Sequence, residues 1–179
     1  MQLYIKHLVH ERLSSKAQLD AVAGMLERLP WHEEEEFIGR CLLQQVTLHA
    51  KFSEMDVFAI LLASFKRHHR GFVVALVDQL LEEVLRACER NDFKEAQRRV
   101  ALAKFLGECF NFRVVHTSTL FEVLYRLINE RCQEHMKAMD SPQDSFRIRL
   151  VCTTLDSLGK GYFQRGPRRK MMDRFLMYF

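Results

Sequence analysis

The residues from Gln97 to Arg113 carry the pattern that most restricts the fold, because apolar side chains recur there at steps of three and four. That spacing puts them on one face of a helix, whereas a strand would need alternate positions. The face contains Leu102, Phe105, Leu106, Cys109 and Phe110. Gly107 lies inside the stretch, where glycine costs a helix about 1 kcal/mol relative to alanine. Either a neighbouring helix approaches closely at Gly107, or a small residue is merely tolerated there.

The same spacing continues along the chain, which contains only 7 Gly and 3 Pro among 179 residues. So few turn formers favour helices with short connections over a sandwich or a barrel. Capping patterns and breakers predict nine amphipathic helices. Their approximate bounds are Leu3–Leu13, Ser15–Leu29, Glu33–His49, Ser53–His69, Phe72–Arg90 and Gln97–Arg113, followed by helices starting at Thr117 or Ser118, at Ser141 and at Arg168. The fourth and sixth are expected to be capped by Ser53 with Asp56 and by Asp92 with Glu95.

Successive helix pairs start near residues 3, 33, 72 and 117, which is the spacing of stacked helical-hairpin repeats. We therefore expect an all-α fold: one domain over residues 1–179, built as a right-handed, HEAT-like superhelix of stacked antiparallel helix pairs. An apolar stripe continues to the last residue, so we expect the C-terminal end to be truncated within or just after the ninth helix. The stripe comprises Met172, Phe175, Leu176 and Phe179.

Residues that carry catalysis or bind metals are scarce in this sequence. Cys132-x-x-His135 has no second pair of residues to complete four metal ligands. For no serine or cysteine does the sequence indicate the general base that would activate it as a nucleophile. We therefore predict a non-enzymatic protein with no cofactor and no metal. The five Cys lie mostly within apolar helical patterns, which is typical of a reducing compartment such as the cytoplasm. No apolar run reaches 18 residues, so we predict no membrane partner.

An acidic stripe lies on the outer side of the fifth helix. Asp78, Glu82 and Glu89 fall close together opposite the apolar positions, and Leu85 projects beside them. Like charges four residues apart slightly destabilise a helix, so the stripe is either a contact surface or an ordinary solvated face. The run Glu33–Glu36 is a second acidic patch. We assign it to the favourable helix dipole of a first turn, with a docking patch as the alternative.

The net charge of +4 permits an acidic or nucleic-acid partner without requiring one. Basic residues around the Gly-Pro turn are possible RNA contacts, or a solvated turn: Arg165, Arg168, Arg169 and Lys170. Arg147 leans toward the apolar side of the eighth helix, so we place it in the structural core with Phe105, Cys109 and Phe110. A buried arginine needs an acidic or carbonyl partner, for which Glu108 is a candidate.

Three stretches resemble a known family. They are KFLGECFNFR at 104–113 with Gln97–Arg99 before it, the residues from 145 to 179, and the corner Leu29–Trp31. They resemble the third middle domain of the up-frameshift-two family, the scaffolds of nonsense-mediated mRNA decay. These domains share the helical-repeat, armadillo-type fold first named for the middle domain of translation initiation factor four-gamma. The resemblance extends over essentially the whole chain, and the blocks near the C-terminus are the most specific.

The resemblance implies a protein-docking function. In the family, this domain binds the RNA-recognition-type domain of up-frameshift protein three through acidic positions on the helix that corresponds to Phe72–Arg90. The family pattern falls on Asp78, Glu82 and Glu89. The family is also linked to the kinase of the decay pathway, to release factors and weakly to RNA. The alternative is an RNA-binding helical repeat that uses the basic turn near residues 165–170.

Overall fold

The computed structural model describes residues 1–13, 16–90, 93–129, 145–159 and 167–179. This part of the chain folds into nine α-helices and contains no strand, which confirms the predicted fold class. The helices are α1 Gln2–His7, α2 Lys16–Glu27, α3 Trp31–Gln44, α4 Met55–Phe65, α5 Arg70–Arg90, α6 Ala96–Asn111, α7 Thr117–Asn129, α8 Phe146–Ser157 and α9 Pro167–Tyr178. Wider π-helical turns extend α1 through Leu8–Arg12 and α3 through Gln45–His49.

The helices stack in two layers. The even-numbered helices form one row in which α2 contacts α4, α4 contacts α6 and α6 contacts α8. The odd-numbered helices form the other row, from α1 through α3, α5 and α7 to α9. The apolar faces of the two rows meet in one core. This is how helical repeats bury faces that no single helix pair could cover. None of the helices described is long and apolar enough to cross a membrane.

The corner before α3 is fixed by Trp31. Its indole Nε1–H donates to the carbonyl of Leu26 at 3.0 Å, which ties the end of α2 to the start of α3. The ring stacks on His69 with centroids 3.7 Å apart and meets Phe65 and Phe72 edge-on, both at 5.0 Å. Aromatic pairs in these geometries stabilise a core beyond the area they bury. The corner therefore holds α3, α4 and α5 in register.

α6 and α8 approach each other closely at Gly107. A Cβ added there would lie 1.7 Å from the Oγ of Ser157 and 3.0 Å from the carbonyl oxygen of Thr154. Thr154 is fully buried, and its hydroxyl proton is shared between the carbonyl of Leu150 in α8 at 3.0 Å and the carbonyl of Ala103 on α6 at 3.3 Å. Of the two explanations for Gly107, the close approach of a neighbouring helix is the one observed.

Asn111 completes this contact by binding the end of α8. Its Nδ2 donates to the carbonyl of Ser157 at 2.7 Å, and its Oδ1 accepts from the backbone N–H of Gly159 at 2.9 Å. Both groups lie at a helix C-terminus, where backbone groups lack partners within the helix. Two of the stretches that resemble the family, on α6 and α8, therefore contact each other.

The core residues predicted on α6 are buried. Phe105, Cys109 and Phe110 are at most 2% exposed, and burial raises the pKa of the Cys109 thiol, which keeps it neutral. Arg147 differs from its prediction, because it is only half-buried. α8 begins at Phe146, so Arg147 lies in its first turn, where a side chain has no preceding helical turn to lie over.

The buried arginine is Arg99 of α6, which is 3% exposed and stacks on the ring of Phe146 at 3.9 Å. Cations stack favourably on aromatic faces away from water. Glu108, the candidate partner of Arg147, accepts hydrogen bonds from Lys104 at 2.9 Å and Asn111 at 3.0 Å.

One predicted cap is wrong, since the Ser53 side chain makes no capping bond to α4. Residues Phe52–Glu54 form a 3-10 turn, and Glu54 accepts from the backbone N–H of Lys51 at 3.4 Å. The start signals at Ser15, Asp92 and Ser141 lie outside the described residues. At the C-terminal end, Phe175 is fully buried, whereas Leu176 and Phe179 are exposed.

Candidate functional site

Helix α5 has an outer face that its neighbours leave open. It lies between α3 and α7 in the odd-numbered row, and its inner positions Val73, Leu76, Leu80 and Val84 are all buried. At 100° per residue, the residues farthest from that stripe belong to the acidic stripe predicted from the sequence. We call the side chains of Asp78, Glu82, Leu85 and Glu89 the acidic ridge.

The described members of the acidic ridge differ in exposure. Asp78 and Glu82 are exposed, as expected for a contact surface. Leu85 is half-buried, although the helical wheel predicts full exposure. A long side chain on a helix folds back over the preceding turn, which gives Leu85 cover that its angular position does not reveal. The side chain of Glu89 lies outside the described residues.

The carboxylates on this side of α5 also differ in their partners. The Asp78 carboxylate makes no ion pair or hydrogen bond within the described part of the chain. Glu82 pairs with Arg86 one turn later. Glu83 binds both Arg86 at 3.2 Å and Arg98 of α6 at 2.7 Å, so it joins two helices. Among the described carboxylates on this side of α5, Asp78 is therefore the most available to a partner, while Glu83 is mainly structural.

One flank of α5 is an acidic groove against α3. Two adjoining cavities of about 330 and 320 Å³ share Glu36 and Gln79 in their walls, so we treat them as one α3–α5 groove. Five glutamates and three arginines line it, so the acidic side chains are in excess: Glu33, Glu35, Glu36, Glu82 and Glu83, with Arg40, Arg86 and Arg98. Glu33 and Glu34 occupy the first turn of α3, where the helix dipole favours them. Glu36 lies beyond that turn, so the dipole does not account for the whole run.

The other flank is an apolar groove against the start of α7. This α5–α7 groove has a volume of about 210 Å³, and its walls contain mostly valine and leucine side chains. Asp78 lines this groove, whereas Glu82 lines the α3–α5 groove. The acidic ridge is therefore the crest between two depressions of different chemistry.

Two features of this surface were missed at the level of sequence. Arg86 follows Glu82 by four residues, a spacing at which opposite charges pair on a helix. The ion pair between them could therefore have been predicted from the sequence. The sequence does not predict that Glu36 and Glu82 line one groove, because that depends on how α3 packs beside α5. The structure thereby brings together two acidic runs that the sequence treated as separate.

The basic residues near the last turn are partly described. Arg168, Arg169 and Lys170 are exposed in the first turn of α9, and Arg169 pairs with Asp173 at 3.7 Å. Arg165 lies outside the described residues. Their position adds to the positive end of the helix dipole, so this turn presents positive charge to solvent.

The described residues contain no group of three or more His, Cys, Asp or Glu that could hold a metal ion. The pair Cys132 and His135 lies outside them. His69, one of the histidines, contributes to the core through its stack on Trp31.

Comparison with known proteins gives similarity along the whole chain. The chain is 36% identical over 176 residues to the regulator of nonsense transcripts UPF2 of Arabidopsis thaliana, covering 96% of this chain and 15% of that protein. It is 33% identical over 183 residues to regulator of nonsense transcripts 2 of Homo sapiens, covering 100% of this chain and 14% of that protein. Nonsense-mediated mRNA decay protein 2 of Saccharomyces cerevisiae is 24% identical over 186 residues, covering 99% and 17%.

The chain thus spans only 14% to 17% of the length of these relatives. Its residues 8–179 match the MIF4G domain, in agreement with the two-layer stack of helices. The match includes α5 with its acidic ridge and the stretches on α6 and α8 that carry the resemblance. The chain therefore belongs to the MIF4G domain family.

Proposed function

We propose that this chain is the protein-docking module of a nonsense-mediated mRNA decay scaffold. Its partner is the RNA-recognition-type domain of up-frameshift protein three, which binds the acidic ridge through basic side chains. The observation that carries the proposal is the exposed Asp78 carboxylate, which has no ion partner among the described residues and lies one turn from exposed Glu82. Both fall on the acidic positions of the family that the sequence resembles.

The electrostatics of the ridge favour a basic partner despite the chain's positive net charge. The walls of the α3–α5 groove contain five glutamates and three arginines, so this surface has an acidic excess although the whole chain has a net charge of +4. Complementary charge across an interface raises the association rate and selects among partners. A basic domain would thus be drawn to this surface.

The test is calorimetric titration of up-frameshift protein three from the same organism against charge-reversed variants. Glu82→Arg and Glu89→Arg should weaken binding by at least about a hundredfold, because like charges at a close interface cost several kcal/mol. Asp78→Arg should do the same. The free energy of unfolding should change little for Asp78 and Glu82, since both are on the surface.

Asp173→Arg on α9 is a matched control, because Asp173 is also exposed and paired with an arginine four residues away. It should bind like wild type. If the ridge reversals bind like wild type while reversal of Glu33–Glu36 abolishes binding, the partner docks on α3 and the ridge is the wrong surface.

RNA binding by the basic turn is the second candidate function, favoured by the exposed Arg168, Arg169 and Lys170 at the start of α9. A salt series with single-stranded RNA tests it. Submicromolar affinity with a steep salt dependence, reduced by Lys170→Glu, would support phosphate contacts. Weak binding that Lys170→Glu leaves unchanged would identify the turn as solvated.

A further inference from the structure

A cavity of about 500 Å³ lies in the even-numbered row of helices, where the chain enters α4, α6 and α8. Its volume falls within the 300–1,000 Å³ that is typical of ligand pockets. None of the residues in its walls belongs to α5. We call it the α6–α8 cavity, and its walls contain Phe52, Lys94, Ala96, Gln97, Val100, Phe146 and Arg149.

The floor of the α6–α8 cavity is apolar and is fixed by the core beneath it. Val100 and Phe146 are half-buried and pack against the core. The ring of Phe146 is also held by Arg99, whose guanidinium stacks on it at 3.9 Å. The floor therefore has its shape before any partner arrives, which lowers the cost of ordering on binding.

Phe52 is the apolar wall that is left most open. It is 41% exposed and belongs to the 3-10 turn Phe52–Glu54 that precedes α4. Single exposed apolar residues are common on protein surfaces, but Phe52 shares one cavity with Val100 and Phe146. An apolar side chain of a partner that entered the cavity would cover all three at once.

The charged side chains in the walls of the cavity are basic. Lys94 and Arg149 are both exposed, and none of the described residues that line the cavity is acidic. The guanidinium of Arg149 makes no ion pair or hydrogen bond within the described part of the chain. The first turns of α6 and α8 add the positive ends of their helix dipoles. The cavity therefore favours carboxylates, whereas the α3–α5 groove has an excess of them.

The polar group in the walls suits a peptide better than RNA. Gln97 is exposed, and its amide offers both the donor and the acceptor with which an extended peptide can hydrogen-bond. Single-stranded RNA needs free aromatic faces for its bases and a row of cations for its phosphates. Arg99 already covers one face of Phe146, and the two cations of the lining do not make a row.

We infer that the α6–α8 cavity is a second docking site, which binds an acidic peptide segment of a partner protein. The segment places one large apolar side chain against Phe52, Val100 and Phe146, and its flanking carboxylates meet Lys94 and Arg149. This inference goes beyond the proposed function and does not rest on it, because the cavity lies in the other row of helices and favours the opposite charge.

Fluorescence polarisation with labelled synthetic peptides tests the inference on the full chain. The probes are short peptides of Asp and Glu with one central Phe, Trp or Leu. At least one of them should bind, and replacing its apolar residue by Ser or its acidic residues by Lys should weaken binding at least about tenfold. If no probe binds, or if the peptide with Ser binds as well as its parent, the inference is wrong.

Charge reversal at the cavity tests the acidic part of the ligand. Arg149→Glu should weaken binding of the best probe about tenfold, because it places like charge against the carboxylates of the peptide. Arg28→Glu is the matched control, since Arg28 is also an exposed arginine with no partner among the described residues and lies outside the cavity. It should bind like wild type. Equal losses in the two variants would show general attraction to a basic protein and overturn the inference.

The apolar contact has its own pair of variants. Phe52→Gln should weaken binding severalfold, because it removes the exposed ring from the wall of the cavity. Leu176→Gln on α9 is the control, since Leu176 is 52% exposed and lies outside the cavity. Thermal unfolding shows whether each variant is folded. If folded Phe52→Gln binds like wild type, the apolar side chain does not enter here and the inference is wrong.

Two further outcomes identify a different ligand or a different surface. If single-stranded oligouridine binds more tightly than every peptide and Arg149→Glu abolishes that binding, the cavity is a nucleic-acid site and the inference is overturned. Asp78→Arg should leave peptide binding unchanged, whatever it does to the basic partner of the acidic ridge. An effect of Asp78→Arg as large as that of Arg149→Glu would place the peptide on α5 and also overturn the inference.

Discussion

The contact between α6 and α8 is so close that it leaves no room for a methyl group, whereas the outer face of α5 is flanked by two open grooves. Both regions are helical and both use residues three and four apart. In the first, Gly107, Thr154 and Asn111 form direct contacts between buried or half-buried groups. In the second, Asp78 makes no ion pair or hydrogen bond within the described part of the chain.

The difference explains why the stretches of α6 and α8 that carry the family resemblance are not the candidate binding site. A buried contact restricts each residue through its neighbours, so it produces long recognisable stretches such as those on α6 and α8. A docking face restricts only charge and shape at a few positions, and the residues between them can vary. Recognition of the family thus rests on packing, and the candidate function rests on the sparser pattern of α5.

The largest effect on stability should come from a substitution in the buried core around α6. Phe105→Ala should lower the free energy of unfolding by about 3–5 kcal/mol, because it opens a cavity in a close-packed interior. Denaturant unfolding followed by circular dichroism measures the change. A loss below about 1 kcal/mol would show that Phe105 is peripheral and that the core lies elsewhere.

A pair of glycine substitutions tests the closeness of α6 and α8 directly. Gly107→Ala should destabilise the fold by about 1–3 kcal/mol, because the new methyl group would overlap Ser157 and the Thr154 carbonyl. Gly24→Ala in α2 should instead stabilise it by up to about 1 kcal/mol, since nothing lies within 4 Å of a Cβ there.

The test is whether the two substitutions change the free energy of unfolding in opposite directions. Thermal unfolding of both variants is sufficient to show this. If Gly107→Ala also stabilises the chain, α6 and α8 are farther apart in solution than the structure places them. In that case the hydrogen bonds of Asn111 to the end of α8 would also be weakened.

Local spacing explains which parts of this molecule are predictable from sequence. The helices and the buried face of Phe105, Cys109 and Phe110 follow from a period of 3.6 residues. The groove between α3 and α5 does not, because it depends on how far apart two helices pack. Arg147 shows the limit within one helix: its angle on the wheel is apolar, yet its place in the first turn leaves it half-exposed.

The sequence predicts where Asp78 and Glu82 lie on α5, but not whether their carboxylates are already paired with a basic side chain. The sequence indicates that Asp78 and Glu82 share one side of α5, and the structure adds that Arg86 already pairs with Glu82. A partner's basic residue must therefore displace Arg86 from Glu82 or share the carboxylate, whereas Asp78 needs no such exchange.

The smallest expected effect follows from that exchange. Arg86→Gln should strengthen binding of the basic partner by roughly two- to tenfold, equivalent to at most about 1.4 kcal/mol, because it frees Glu82 and removes a positive charge. It should cost the fold less than about 1 kcal/mol, the usual value of an exposed ion pair. Arg126→Gln on α7 is the control, since Arg126 pairs with Glu122 at the same spacing and at 2.8 Å. If Arg86→Gln weakens binding while Arg126→Gln leaves it unchanged, Arg86 orients Glu82 for the partner and does not compete with it.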